Sequence, residues 1–191
     1  MRPTTLLAAL VLALPVPALA QTASPPAAAP APATAPAAPA ADPADVASVD
    51  AIVAAMYDVI SGKAGAPRNW DRFHSLFLPG AIMTAGGRGP DGTPRARAMS
   101  PNDYIARNGP VFAQEDFYER EIGRQVLRFG RMITVRSAYD IRRAPDATEV
   151  VQRGVNTLQL FDDGTRLWVV SIAWAGETPD NPIPADLLSA S

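Results

Sequence analysis

Few side chains in this chain are equipped for chemistry, and their types and spacing limit what that chemistry can be. His74 is the only histidine and there is no cysteine. Thiol catalysis, thiolate metal sites and disulfides are therefore excluded. One imidazole with no acid pair at ligand spacing offers no strong metal site either. No G-x-S-x-G stretch is present to place a serine nucleophile. Neither a metal nor a cofactor is expected. His74 lies in the run Trp70 to Phe77, WDRFHSLF, on one helical face with Trp70, Phe73 and Phe77. It is the candidate general acid or base, although spacing supplies no carboxylate partner, and a packed or rim histidine is the alternative. Asp140 is out of phase with Ile133, Val135, Tyr139 and Ile141 and is expected to pair with an arginine on the outer sheet face. Asp71 reads as a first-turn helix acid and Asp103 as a capping acid.

A second group could recognise a ligand without changing it. Tyr57, Trp70, Tyr104, Tyr139, Asn156 and Ser171 are the candidate binding residues, able to orient a molecule in an apolar cavity through a few hydrogen bonds. Core packing with a satisfied polar tip is the alternative for each tyrosine and tryptophan. Asn156, between Gly154 and Leu158, needs partners once buried. Ser171 opposite it, a ligand or a water would serve.

The element that must position these groups is the hairpin Arg153 to Ala175, RGVNTLQLFDDGTRLWVVSIAWA. Closing it with Asp163-Gly164 as a two-residue turn sets Leu160 opposite Leu167, Leu158 opposite Val169, Asn156 opposite Ser171 and Gly154 opposite Ala173. That face tapers toward small polar residues and leaves space for a cavity. The other face pairs Phe161 with Arg166, Gln159 with Trp168, Thr157 with Val170, Val155 with Ile172 and Arg153 with Trp174. Trp168, Val170, Ile172 and Trp174 then form a partner surface, with Arg153 over Trp174 as a cation–π pair.

Residues 1–20 read as a secretory signal peptide: Arg2, an apolar run from Leu6 to Leu14 too short to span a bilayer, and an A-x-A site at Ala18 to Ala20. The mature protein is expected to be periplasmic or secreted, with no membrane span after cleavage. Residues 21–44 are almost wholly Ala and Pro, a composition expected to be a disordered spacer. Residues 45–185 are the size of one domain, and 186–191 form a tail, the end of an expected extended strap. The formal charge of −2, from 17 basic and 19 acidic residues, excludes an electrostatic nucleic-acid binder.

Within the domain, helical patterns come first. They begin at Asp42-Pro43, carry the stripe Val49, Ile52, Val53, Met56, Tyr57 and Ile60, recur at Trp70 to Phe77, and start again at Ser100-Pro101. A breaker-rich rim loop spans Gly86 to Pro94. Strand patterns follow, from Phe117 to Phe129 with a bulge at Gly123, from Met132 to Arg142, and into the hairpin. This order argues an α+β fold with N-terminal helices packed on a curved antiparallel sheet.

The order of a long amphipathic helix, the WDRFHSLF helix, a third helix and the strands ending RGVNTLQLFDDGTRLWVVSIAW resembles the NTF2-like superfamily, and within it small bacterial SnoaL-like proteins. The resemblance implies a cone-shaped fold with an internal cavity, and a homodimer through the outer sheet face. It also brings three functional expectations. One is binding of a small apolar or amphipathic molecule without chemistry. Another is isomerase, dehydratase or cyclase chemistry using His74 or a buried carboxylate. The last is a dimeric interaction module whose cavity is filled by side chains.

Overall fold

The structure is a computed structural model that describes residues 38–189. The expected signal peptide and the spacer up to residue 37 lie outside the described residues. Helices α1 (Pro43–Val46), α2 (Val49–Ile60) and α3 (Trp70–Leu76) precede strands β1 (Phe77–Arg88) and β2 (Pro94–Met99). Helix α4 (Pro101–Gln114) leads into β3 (Tyr118–Phe129), β4 (Met132–Arg142), β5 (Gln152–Asp162) and β6 (Leu167–Gly176), and α5 (Ala185–Ser189) ends the described chain. No described helix is long and apolar enough to cross a membrane.

Local signals set the helix boundaries. Asp42 caps α1 by accepting from the Ala44 amide at 2.9 Å. The helix does not continue into α2, because Ser48 adopts an extended backbone and caps a new start through the Ala51 amide at 3.1 Å. Helix α2 then buries Ile52, Val53, Met56, Tyr57 and Ile60. At its C-terminus the Arg68 guanidinium donates to the carbonyls of Ile60, Gly62, Lys63 and Ala66, which satisfies acceptors that a helix end leaves open. Helix α4 begins with a complete capping box between Ser100 and Asp103. Asp71 lies in the first turn of α3, and Arg72 beside it ties α3 to Asp45 and Asp58.

The sheet order is β2-β1-β6-β5-β4-β3. All neighbours are antiparallel except β1 and β6, which run parallel. The sheet is thus mixed where the sequence suggested an antiparallel run. The long return through α4 lets the last strand pair with the open edge of the first. The segment Gly86 to Pro94, expected as a rim loop, is the tip of the β1–β2 hairpin, with Gly86 and Gly87 inside the ladder.

The β5–β6 hairpin departs from its expected register. Asp163 does not occupy a two-residue turn. Its Oδ1 accepts from the amides of Thr165 at 2.7 Å and Arg166 at 2.9 Å, and that side-chain turn extends the loop so that Asp162 pairs with Leu167. Leu160 faces Val169, but Gln159 faces Ser171, so Val170 is an extra residue in β6. This bulge reverses the phase of everything after it. Ile172 and Trp174 turn into the cone, while Ser171 and Ala173 turn out.

The strap after β6 is partly helical. Ile183 and Leu187 are buried against Ala138 in a small second cluster on the outer sheet face. Gly123 sits at a register shift in β3, and a Cβ there would lie 2.2 Å from the Leu187 carbonyl oxygen. The bulge and the missing side chain together let α5 reach the sheet.

Candidate functional site

Helices α2 and α4 and strands β3 to β6 enclose a cavity of about 180 Å³. Most of its wall is apolar: Val53, Met56 and Ile60 from α2, Phe112 from α4, Ile172 and Trp174 from β6. Into this wall project Glu119 from β3, Tyr57 from α2, Tyr104 and Asn108 from α4, Tyr139 from β4 and Asn156 from β5.

Glu119 is the central group. It pairs with Ile141 across the β3–β4 ladder and so shares the inner face with Ile141 and Tyr139. The residue keeps some exposure through the cavity that it lines, but its carboxyl has left bulk water. Burial pushes that carboxyl up to about 7, against the opposing pull of the Asn156 amide. Asn156 Nδ2 donates to Glu119 Oε1 at 3.0 Å. Tyr57 and Ser137 lie behind Asn156, with Asn156 Nδ2 3.2 Å from the Tyr57 hydroxyl.

Tyr104 and Tyr139 complete the polar lining. The Tyr104 ring stacks on Phe73 with centroids 5.5 Å apart and meets Trp174 edge-on at 6.1 Å. Tyr139 lies close over Gly154, where a Cβ would come within 2.4 Å of its hydroxyl. Neither hydroxyl has a hydrogen-bond partner among the described residues, and both residues line the cavity. Burial and the nearby Glu119 charge raise both phenols above the usual range. They stay protonated and can donate to an oxygen placed in the cavity.

The residues singled out in the sequence separate into two groups. Tyr57, Tyr104, Tyr139 and Asn156 come together at the cavity. Trp70 does not reach it; its ring stacks on Phe112 at 6.2 Å and edges onto Phe73 at 5.7 Å, behind the wall. Ser171 lies on the opposite face because of the bulge at Val170. His74 packs edge-on against Phe73 at 6.0 Å and is not among the lining residues.

The expected partner surface is likewise divided. Ile172 and Trp174 face the cavity, whereas Trp168 and Val170 stay on the other face. The cation–π pair is Arg166 over Trp168, 3.6 Å from the ring centroid, and Trp168 Nε1 donates to Asp163 Oδ2 at 2.7 Å. Arg153 approaches Glu177 at 3.5 Å rather than stacking on Trp174. Asp140 pairs with Arg120 at 2.9 Å and Arg142 at 2.8 Å on the outer face. Burial opposes its charge, but the two guanidiniums outweigh that and hold its carboxyl below the usual range.

Glu119 was not legible as a site residue. The register shift between Glu121 and Gly123 breaks the alternation of β3, so its inner positions cannot be counted from the better-patterned half. Only pairing with β4, whose Tyr139 and Ile141 carry a clear inward phase, points to Glu119.

No protein-family model matches the chain. No curated protein matches it either. Solved structures do. A protein of unknown function with a cystatin-like fold from Nostoc punctiforme is 6% identical, with 69% of this chain and 90% of that chain covered and a TM-score of 0.51. A protein of unknown function from Mycobacterium tuberculosis is 13% identical over 74% of this chain and 80% of that one, with a TM-score of 0.50. An NTF-2 like protein of unknown function from Silicibacter pomeroyi is 15% identical over 69% and 94%, with a TM-score of 0.47. At these identities the likeness is one of fold. Helices on one face of a curved six-stranded sheet, in the order given, are the architecture shared with the Nostoc punctiforme and Mycobacterium tuberculosis structures.

Proposed function

From an NTF2-like cone with a desolvated carboxyl in its cavity, we propose that this protein binds a small, neutral, largely apolar carbonyl compound and catalyses proton transfer on it, as an isomerase or dehydratase. One observation carries the reading: Glu119, poised near neutrality, faces the same cavity as two phenol hydroxyls without partners among the described residues. An ionised Glu119 takes a proton from the carbon next to the carbonyl. The electron pair moves onto the carbonyl oxygen, and Tyr104 and Tyr139 donate hydrogen bonds to the developing oxyanion. In a β,γ-unsaturated ketone, the electron pair returns from the oxyanion and the proton is delivered to the γ-carbon, giving the conjugated isomer. In a β-hydroxy ketone, the returning pair breaks the β-carbon–oxygen bond and the proton goes to the departing hydroxyl, giving water and the unsaturated ketone. Both reactions balance with protons alone.

The assay is hydrogen–deuterium exchange at the α-carbon of small cyclic ketones sized to the cavity of about 180 Å³. The protein should accelerate exchange, and Glu119→Gln should lower the rate by at least about 10²-fold. Saturable binding of the same ketones without exchange would leave the apolar wall as a binding site and remove the catalytic reading. Such an open cavity disfavours a module filled by its own side chains.

The cellular setting belongs to the same proposal. The N-terminal apolar run and A-x-A site support export to the periplasm or beyond. Trp168 and Val170, on the sheet face away from the cavity, support a homodimer through that face.

A further inference from the structure

The hydrogen bonds behind Asn156 run in one direction, and that direction reaches Glu119. The chain starts at Glu121 on β3. Arg124 grips both of its carboxyl oxygens, with Nε 2.9 Å from Oε1 and Nη2 on Oε2. Asp50 on α2 steadies the same guanidinium from the other side at 2.5 Å. A carboxylate held this way is charged and can only accept. Ser137 Oγ lies 2.5 Å from Glu121 Oε1 and gives its one proton there. The Tyr57 hydroxyl, 2.7 Å from Ser137 Oγ, must then donate to it. Its oxygen is left to accept from Asn156 Nδ2, and the other amide N–H is left for Glu119. The reversed amide would put Oδ1 against a Tyr57 oxygen whose proton is already committed. It would also face Glu119 favourably only if Glu119 were protonated.

We propose that Ser137 and Glu121 are positioning residues: through Tyr57 they lock the Asn156 amide with its NH₂ group toward Glu119, and so favour the carboxylate over the carboxylic acid. The inference rests on Glu119 as the proton carrier of the site, and it adds a reason why that group serves as a base. The titratable groups around Glu119 are Tyr57 on α2, Tyr104 on α4, Tyr139 on β4 and Glu121 on its own strand, with neutral Asn156 from β5, and Asp58, Arg120, Arg124 and Arg142 line the neighbouring cleft that Glu119 also borders. The tyrosines are uncharged near neutrality. The charge of Glu121 is countered by the Arg124 guanidinium that grips it.

The test is a carbon-13 NMR titration of the Glu119 carboxyl in the full chain, assigned by its loss in Glu119→Gln. Ser137→Ala cuts the chain without changing any charge. It should raise the Glu119 midpoint by about one unit, because the amide is then free to reverse. A merely structural role predicts the opposite sign, since a loosened wall admits water and lowers the midpoint. An unchanged or lowered midpoint in folded Ser137→Ala overturns the proposal. If that variant does not fold, Tyr57→Phe removes the next link and is read by the same criterion. The titration needs no substrate. Absent ketone exchange with the expected rise in midpoint refutes the function and keeps the lock, whereas exchange with an unmoved midpoint does the reverse.

Discussion

At the scale of single residues, Glu119 sets a conflict between burial and charge, and the conflict has a measurable sign. Its folded value of about 7 lies above the ordinary 4.5, so between those limits the folded protein holds a proton that the unfolded chain has released. The stability this group contributes is complete below about 4.5 and is lost as pH rises through about 7. Glu119→Gln removes that loss. Unfolding measured at about pH 5 and about pH 8 should show a difference smaller than in the parent protein by on the order of 2 kcal/mol. An identical difference in both proteins would contradict the raised value. The phenols make a separate prediction. Tyr104→Phe and Tyr139→Phe each remove one oxyanion donor and little volume, and each should slow ketone exchange by about 10²-fold. Unaltered rates in both would take the tyrosines out of the mechanism.

At the scale of elements, a single extra residue redistributes the site. The alternation of β4 gave the phase of Ile133, Val135, Tyr139 and Ile141 correctly, because nothing interrupts that strand. The helical stripe of α2 was equally clear, and Tyr57 follows from it. The hairpin was not readable to the same depth. Asp163 builds its turn from a side chain, and Val170 is accommodated as a bulge, neither of which alters the hydrophobic pattern. Trp174 therefore passed for an outer residue and Ser171 for an inner one. Glu119 was hidden for the same physical reason, a register shift in β3. These strands also make tight demands where β4, β5 and β6 meet. A Cβ on Gly154 would lie 2.4 Å from both the Tyr139 hydroxyl and the Ala175 carbonyl oxygen. Gly154→Ala should cost about 1–3 kcal/mol in denaturant unfolding and displace the Tyr139 ring. Full stability in that variant would show that the strands yield there more easily than the packing suggests.

At the scale of the whole molecule, the cone and the outer sheet face divide the work. On the proposed reading, the cavity holds the groups that move or position protons, Glu119 and Asn156 among them. The outer face carries the Asp140 ion pairs, the docked Ile183 and Leu187, and Trp168 under Arg166. If that face joins two copies, Trp168→Glu should convert a dimer into a monomer in light scattering, with the cavity intact by ligand binding. A dimer that survives the substitution must use another surface. The proposed export makes a further prediction for the intact chain: if residues 1–20 are a cleaved signal peptide, protein recovered from the periplasm should begin at Gln21 by mass, and an intact N-terminus would contradict it.

The titration of Glu119 in the unmodified protein bears most directly on the central claim. A midpoint of about 7, with the signal absent in Glu119→Gln, is the expected result. A midpoint at or below the ordinary 4.5 would mean a solvated, permanently charged carboxylate, and the cone would have no group able to pass a proton back and forth in the way proposed.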